Sequence, residues 1–227
     1  MEKQDIEILY EDNHLIAINK KAGDLVQGDE TGDEPLPERV KQYIQQKYAK
    51  PGAAFLGVVH RLDRPVSGVV VFARTSKALE RMNALFQKRE TQKTYWAIVN
   101  AKPKQNQGTL IHWLRKNEQA NRVSLFEKET PDALRCELTY KVIQEKNGYW
   151  LVEILPITGR SHQIRAQLAS IGCPIVGDLK YGSNEALGQS ICLHARQLEF
   201  VHPVKKVAIG ITANLPINQF WKLFAQS

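Results

Sequence analysis

The chain has 227 residues, 43% of them hydrophobic, which is enough for one large domain or two small ones with a packed core that needs no cross-links. Its 31 Lys and Arg against 24 Asp and Glu leave a net charge of +7 and a pI near 9.3, a balance that suits a polyanionic partner but does not demand one. The three cysteines (Cys136, Cys173, Cys192) match no zinc spacing, their odd number argues against a disulfide framework, and neither a signal core nor a run of the roughly 18 apolar residues a membrane span needs is present, so the composition predicts a reduced, cytoplasmic, non-membrane protein.

Residues 6–10 and 15–18 read as two strands around the polar turn Glu11-Asp12-Asn13. Asn19-Lys20-Lys21-Ala22-Gly23 closes the second strand and reads as an ordinary hairpin with a basic exit. Residues 24–34 are acidic and contain Gly, which predicts a loop. Residues 36–48 read as a helix, with Val40, Tyr43, Ile44 and Lys47 at helical spacing and Pro51-Gly52 as its breaker.

The stretch His60-Arg61-Leu62-Asp63-Arg64-Pro65-Val66-Ser67-Gly68 concentrates charge between two strand-like runs, residues 56–59 and 69–73. Guanidinium neighbours favour the charged form of a carboxylate, so Asp63 is ready to act as a nucleophile or base at neutral pH. An Asp–Arg ion pair closing a turn before a buried strand explains the same nine residues equally well.

Ser76 reads as an N-cap, and Leu79, Met82 and Phe86 give the apolar stripe of a helix ending about residue 88. Lys77, Arg81, Lys88 and Arg89 lie on its other faces. Residues 92–99 read as a strand from their β-branched and aromatic content, with Tyr95, Ala97 and Val99 on one face and Lys93 at its start. Short strands follow at 108–113 and 121–126, with Lys102, Lys104, Arg115, Lys116 and Arg122 either solvated or forming a basic rim. Residues 134–143 and 149–155 pair around Lys146-Asn147-Gly148, a hairpin signal.

A second concentration of polar side chains runs from Thr158 to Ala169. Ile164, Leu168 and Ile171 line one helical face, and Gly172 is the expected C-cap. His162 and Arg165, three apart, are neighbours on a different side, so they can face a pocket while the helix stays anchored. An ordinary amphipathic helix remains the alternative. The tail alternates Val207, Ile209 and Ile211 as a strand, then has Pro216 and a helix bearing Phe220, Leu223 and Phe224. Internal repeats and low-complexity tracts are absent.

His60-Arg61-Leu62-Asp63 followed by Ser67-Gly68 resembles the catalytic motif of the RluA family of RNA pseudouridine synthases. So do Thr158-Gly159-Arg160-x-His162-Gln163-Ile164-Arg165, Lys93-x-Tyr95, the Asn19-Lys20 opening, Val176-Gly177-Asp178-Leu179-Lys180-Tyr181-Gly182 and Leu193-His194-Ala195. The resemblance covers about residues 6–224. It departs from the family pattern at Lys21, in place of a proline that stiffens the opening loop, and at Pro65 and Val66, which reshape the turn after Asp63 and remove a threonine hydroxyl. It implies an α+β fold, a long, bent, mostly antiparallel sheet with flanking helices and a central active-site cleft, and one catalytic domain over 1–227. Some relatives carry a separate small RNA-binding domain before this point. Too few residues precede the first strand for one here, which leans the expectation towards a compact tRNA or stem-loop substrate.

The activity implied is isomerisation of uridine to pseudouridine in tRNA or rRNA. The target nucleotide is flipped out, because the reaction cannot proceed inside a stacked helix. By resemblance Asp63 is the catalytic aspartate, Tyr95 lies against the flipped uracil, Arg165 pairs with the aspartate, and Arg61 helps displace the base. His60, Arg160, His162 and Gln163 belong to substrate binding. The chemistry needs neither metal nor organic cofactor, and the expected partner is RNA, with the chain a monomer. Two rivals stay open: a non-catalytic RNA-binding protein on the same fold, and a glycoside hydrolase. The second requires two suitably spaced carboxylates where the sequence offers one strong candidate.

Overall fold

Strand alternation in the N-terminal segment produces β1 (Glu7–Glu11) and β2 (Leu15–Lys20), an antiparallel pair. The Asp12 carboxylate closes their turn by accepting the N–H groups of His14 and Leu15, each at 2.8 Å. Helix α1 (Leu36–Tyr48) has the expected bounds, and buries Leu36, Pro37, Val40 and Ile44. Lys47, expected on its stripe, instead turns outward and binds the Glu11 carboxylate at 2.6 Å. The computed structural model describes residues 6–28, 32–49 and 52–225, so Pro51 of the expected breaker lies outside the described residues. The helix has already ended at Ala49, which is left-handed with φ 46°.

The run before the first motif yields only the two-residue β3 (Gly57–Val58), whereas the run after it yields β4 (Ser67–Ala73), buried at all seven positions. Helix α2 (Ser76–Gln87) starts one residue earlier than expected. Its cap is Thr75, whose Oγ1 accepts the Ala78 N–H at 3.2 Å, and Ser76 is the first helical residue. Thr75→Ala is expected to cost about 1 kcal/mol of stability, read as a lower denaturation midpoint with unchanged m-value.

The remaining elements are β5 (Thr91–Val99), β6 (Gln107–Asn117), β7 (Arg122–Phe126), β8 (Leu134–Lys146), β9 (Tyr149–Pro156), α3 (Gln163–Ser170), β10 (Leu193–Val201), β11 (Ala208–Thr212) and α4 (Gln219–Phe224). Asn147 and Gly148 both have positive φ, 54° and 76°, as the two-residue turn between β8 and β9 requires. Val207, expected in the last strand, falls outside it and is 49% exposed. The fold is α+β. None of the helices among the described residues is long and apolar enough to cross a membrane.

By contact density the chain divides into two units, Met1–Gln92 with Ala195–Asn214 and Lys93–His194 with Leu215–Ser227. In the first, β4 is central: it pairs antiparallel with β2 and β3, and β10, which carries β11, lies on its other side. Leu15 and Ala17 of β2, Val69, Val71 and Ala73 of β4, Met82 of α2, and Leu198 and Phe200 of β10 form one apolar cluster. Val70 and Phe72, on the other face of β4, are also fully buried, so a strand hydrophobic on both sides is covered on both. In the second unit, antiparallel strands run in the order β5-β9-β8-β6-β7. Leu114, Val123 and Cys136 from three of these strands pack with Ala166 of α3 and with Tyr181.

Candidate active site

Of the eight residues expected at the site, His60, Arg61 and Asp63 lie in the first unit, and Tyr95, Arg160, His162, Gln163 and Arg165 in the second. In the first unit the connection from β3 to β4 carries the motif. Asp63, half-buried, begins a turn that the Val66 N–H closes onto the Asp63 carbonyl at 3.0 Å. Pro65 has no N–H to lose here. Val66 buries its side chain to 3% exposure, so an apolar residue in place of the family's threonine serves the core. His60 accepts the Val71 N–H on Nε2 at 3.1 Å, and its ring stacks on Phe86 of α2 with centroids 4.8 Å apart. These contacts tie the motif to β4 and α2. Arg61 donates to the Gln27 side chain at 2.7 Å, and Arg64 pairs with Asp33. Gln27 and Asp33 both belong to the segment after β2.

Lys20 holds this turn from beneath, which the sequence reading missed. Its side chain is fully buried, and its ammonium donates to the carbonyls of Lys21 (3.0 Å), Arg64 (3.0 Å) and Val66 (2.6 Å). The Gly23 N–H donates to the same Arg64 carbonyl at 2.8 Å. Two carbonyls of the turn that begins at Asp63, those of Arg64 and Val66, are therefore fixed by one cation. A signal was present: Lys20 is in phase with Ile16 and Ile18, so period-two alternation already turns it inward.

Burial lowers the Lys20 amine to about 8, against the opposing pull of the Asp24 and Asp63 carboxylates. Between that value and the ordinary 10.5 the unfolded chain binds a proton that the folded chain has released. Stability from this group therefore rises as pH climbs through that window. Lys20→Met removes the ammonium from all three carbonyls, leaving those of Arg64 and Lys21 only the N–H groups of Gly23 and Asp24, but relieves the desolvated charge. The net expected loss is about 2–4 kcal/mol at neutral pH, or roughly 4–16 °C in Tm. The variant also loses the rise above pH 8, so melts at several pH values check both effects.

In the second unit Tyr95 is half-buried on β5, opposite Ile154 of β9. The Lys93 amine reaches to within 3.5 Å of where a Cβ on Gly159 would stand, which sets the Lys-x-Tyr strand beside the second motif. Gln163 organises that motif. Its Oε1 accepts the Thr158 hydroxyl at 2.7 Å and the Arg160 N–H at 3.0 Å, while its Nε2 donates to the Glu137 carbonyl at 3.0 Å. Arg160 projects into solvent. His162 precedes α3 in a left-handed conformation (φ 54°), with Nδ1 2.8 Å from the Tyr181 hydroxyl. Arg165, 5% exposed, forms a two-pronged ion pair with Asp178: Nε to Oδ2 at 2.7 Å and Nη2 to Oδ1 at 2.9 Å. Gly172 (φ 76°) ends the helix as expected.

The α+β scaffold carries, one in each unit, the two motifs that resemble those of an RNA-modifying isomerase. Comparison with known proteins supports that class: the family described as RNA pseudouridylate synthase matches residues 14–170. The chain belongs to this family, in its RluA branch, whose members isomerise uridine in RNA. It is 32% identical over 235 residues to tRNA pseudouridine synthase C of Vibrio vulnificus (strain CMCP6), covering 96% of this chain and 93% of that one. It is 33% identical over 213 residues to ribosomal large subunit pseudouridine synthase C of Rickettsia prowazekii (strain Madrid E), covering 92% and 68%. Among solved structures, human RNA pseudouridylate synthase domain containing 4 superposes with a TM-score of 0.79 at 25% identity, covering 95% of this chain and 90% of that one. These relatives favour the isomerase over both the non-catalytic RNA-binding protein and the glycoside hydrolase.

Proposed function

We propose that this chain, acting over 1–227 as one catalytic domain, converts specific uridines of tRNA or rRNA to pseudouridine. The observation that carries the reading is the presentation of Asp63 on a turn whose carbonyls are clamped by a buried lysine, since a reacting group must be held still relative to its target. The uracil leaves through N1, turns, and is rejoined to the same ribose through C5. Asp63 starts the glycosidic cleavage, Tyr95 packs on the uracil, and Arg165 completes the catalytic set. Extruding the nucleotide costs a few kcal/mol, which stacking and phosphate contacts offset. Arg61 supports the extruded state, and solvent-facing Arg160 meets the RNA. His60, His162 and Gln163 belong to substrate binding through the loops they tie down. No atom is oxidised and no phosphoryl group moves, so the reaction calls for no cofactor. Curated relatives named for tRNA and for ribosomal RNA both resemble this chain, which supports either substrate. Three buried, free cysteines fit a cytoplasmic enzyme, and we place it there as a monomer.

The test is tritium release from RNA labelled at uridine C5, because pseudouridine and uridine have the same mass. tRNA and rRNA transcripts are assayed separately. Release from one of them confirms the reaction and identifies the substrate class. RNA binding without release from either refutes the reading.

A further inference from the structure

We infer that Asp178 and Tyr181 are positioning residues that set the orientation of the Arg165 guanidinium for the isomerisation, an inference that rests on the isomerase reading above. An arginine in an RNA-binding enzyme is ordinarily a phosphate contact. Arg165 is unsuited to that: it is 5% exposed and paired with a carboxylate that is itself 1% exposed, so the pair carries no net charge towards RNA. Asp178 takes the Nε edge of the planar fork with two hydrogen bonds, which directs the remaining N–H groups to the opposite end. The Tyr181 ring covers one face of the same guanidinium, with Cζ 5.1 Å from its centroid. Tyr181 is in turn held by its hydroxyl, which accepts the Val123 N–H of β7 at 3.0 Å and shares a hydrogen bond with His162 Nδ1 at 2.8 Å.

Local geometry explains why two residues three apart serve one arginine. Asp178 precedes a single 3-10 turn (Leu179–Tyr181), and the Tyr181 N–H bonds to the Asp178 carbonyl at 3.0 Å. Side chains at i and i+3 of such a turn eclipse, so carboxylate and ring leave the chain on the same side. Edge and face of the fork are both determined, and a fork set in two directions has little rotational freedom left.

The experiment measures kcat and KM for tritium release on whichever RNA the wild type modifies, with Tm alongside, for Asp178→Asn, Tyr181→Phe, Arg165→Lys and the two doubles with Arg165→Lys. Asp178→Asn is expected to lower kcat about 10–100-fold and Tyr181→Phe about 3–10-fold, with KM within about twofold. Neither should lower kcat further in the Arg165→Lys background, because the effect runs through the fork that lysine lacks. A merely structural role predicts the opposite: losses that add in the doubles and follow Tm. Additive losses, a change in KM alone, or unchanged kcat in both singles overturns the proposal. If Asp178→Asn does not fold, Tyr181→Phe and its double carry the same test, since that change removes only a hydroxyl. An inert wild type is a different result, which overturns the isomerase reading and this inference with it.

Discussion

Asp63→Asn is expected to reduce tritium release by at least about 10⁴-fold while RNA affinity holds or improves. Asparagine has nearly the same shape, and what fixes the turn is main chain: the Asp63 carbonyl accepts from Val66, and the Arg64 and Val66 carbonyls accept from Lys20. The substitution therefore removes the ionised oxygen and leaves its setting intact. A loss of that size corresponds to about 5.5 kcal/mol of transition-state stabilisation, far above what a disturbed ion pair on a loop would produce. Removing a negative charge that faces a polyanion also cannot weaken attraction to RNA. Rates from single-turnover release and affinities from filter binding separate the two quantities. Residual release within tenfold of wild type would show that another group performs the cleavage.

Gly68→Ala is expected to cost at least about 4 kcal/mol and to leave little folded protein. Gly68 has φ +116°, and a Cβ there would stand 2.3, 2.6 and 2.7 Å from the O, N and C atoms of Ala195. All three are backbone atoms of β10, so no side-chain rotation relieves the overlap. Nor can β4 retreat: Gly68 pairs with Lys20 in the β2 ladder, and every side chain of β4 is buried. An Ala195→Gly companion should fail to rescue the variant, because the clash is not with a side chain. Soluble yield and thermal melts of the single and the double check this, and a Tm within a few degrees of wild type would refute it.

Local patterns account for most of the elements found. The 36–48 helix was legible because its apolar residues recur at helical spacing, and the β8–β9 hairpin because Asn147-Gly148 accepts two positive φ values. The first motif and the second were legible as concentrations of polar residues beside apolar runs. What local pattern missed were the exact start of a helix and contacts between residues far apart in sequence. Thr75 rather than Ser76 caps α2, and both side chains are capable of it; only where the helical backbone begins separates them. Lys47 sits at the right spacing for the core, yet Glu11 draws it outward across 36 residues.

By itself, then, the sequence determined the family, because short motifs that need no tertiary partner carry the resemblance, and the resemblance in turn implied the α+β class and the candidate catalytic residues. Only the tertiary structure decided what those residues lean on. Lys20 reaches carbonyls 44 and 46 positions away, Asp178 and Tyr181 lie 13 and 16 positions beyond the arginine they flank, and Gly68 is glycine because of a strand that follows more than 120 residues later. Burial, hydrogen-bond completion and backbone approach are properties of pairs brought together by folding, and a linear pattern records one member of each pair without naming the other.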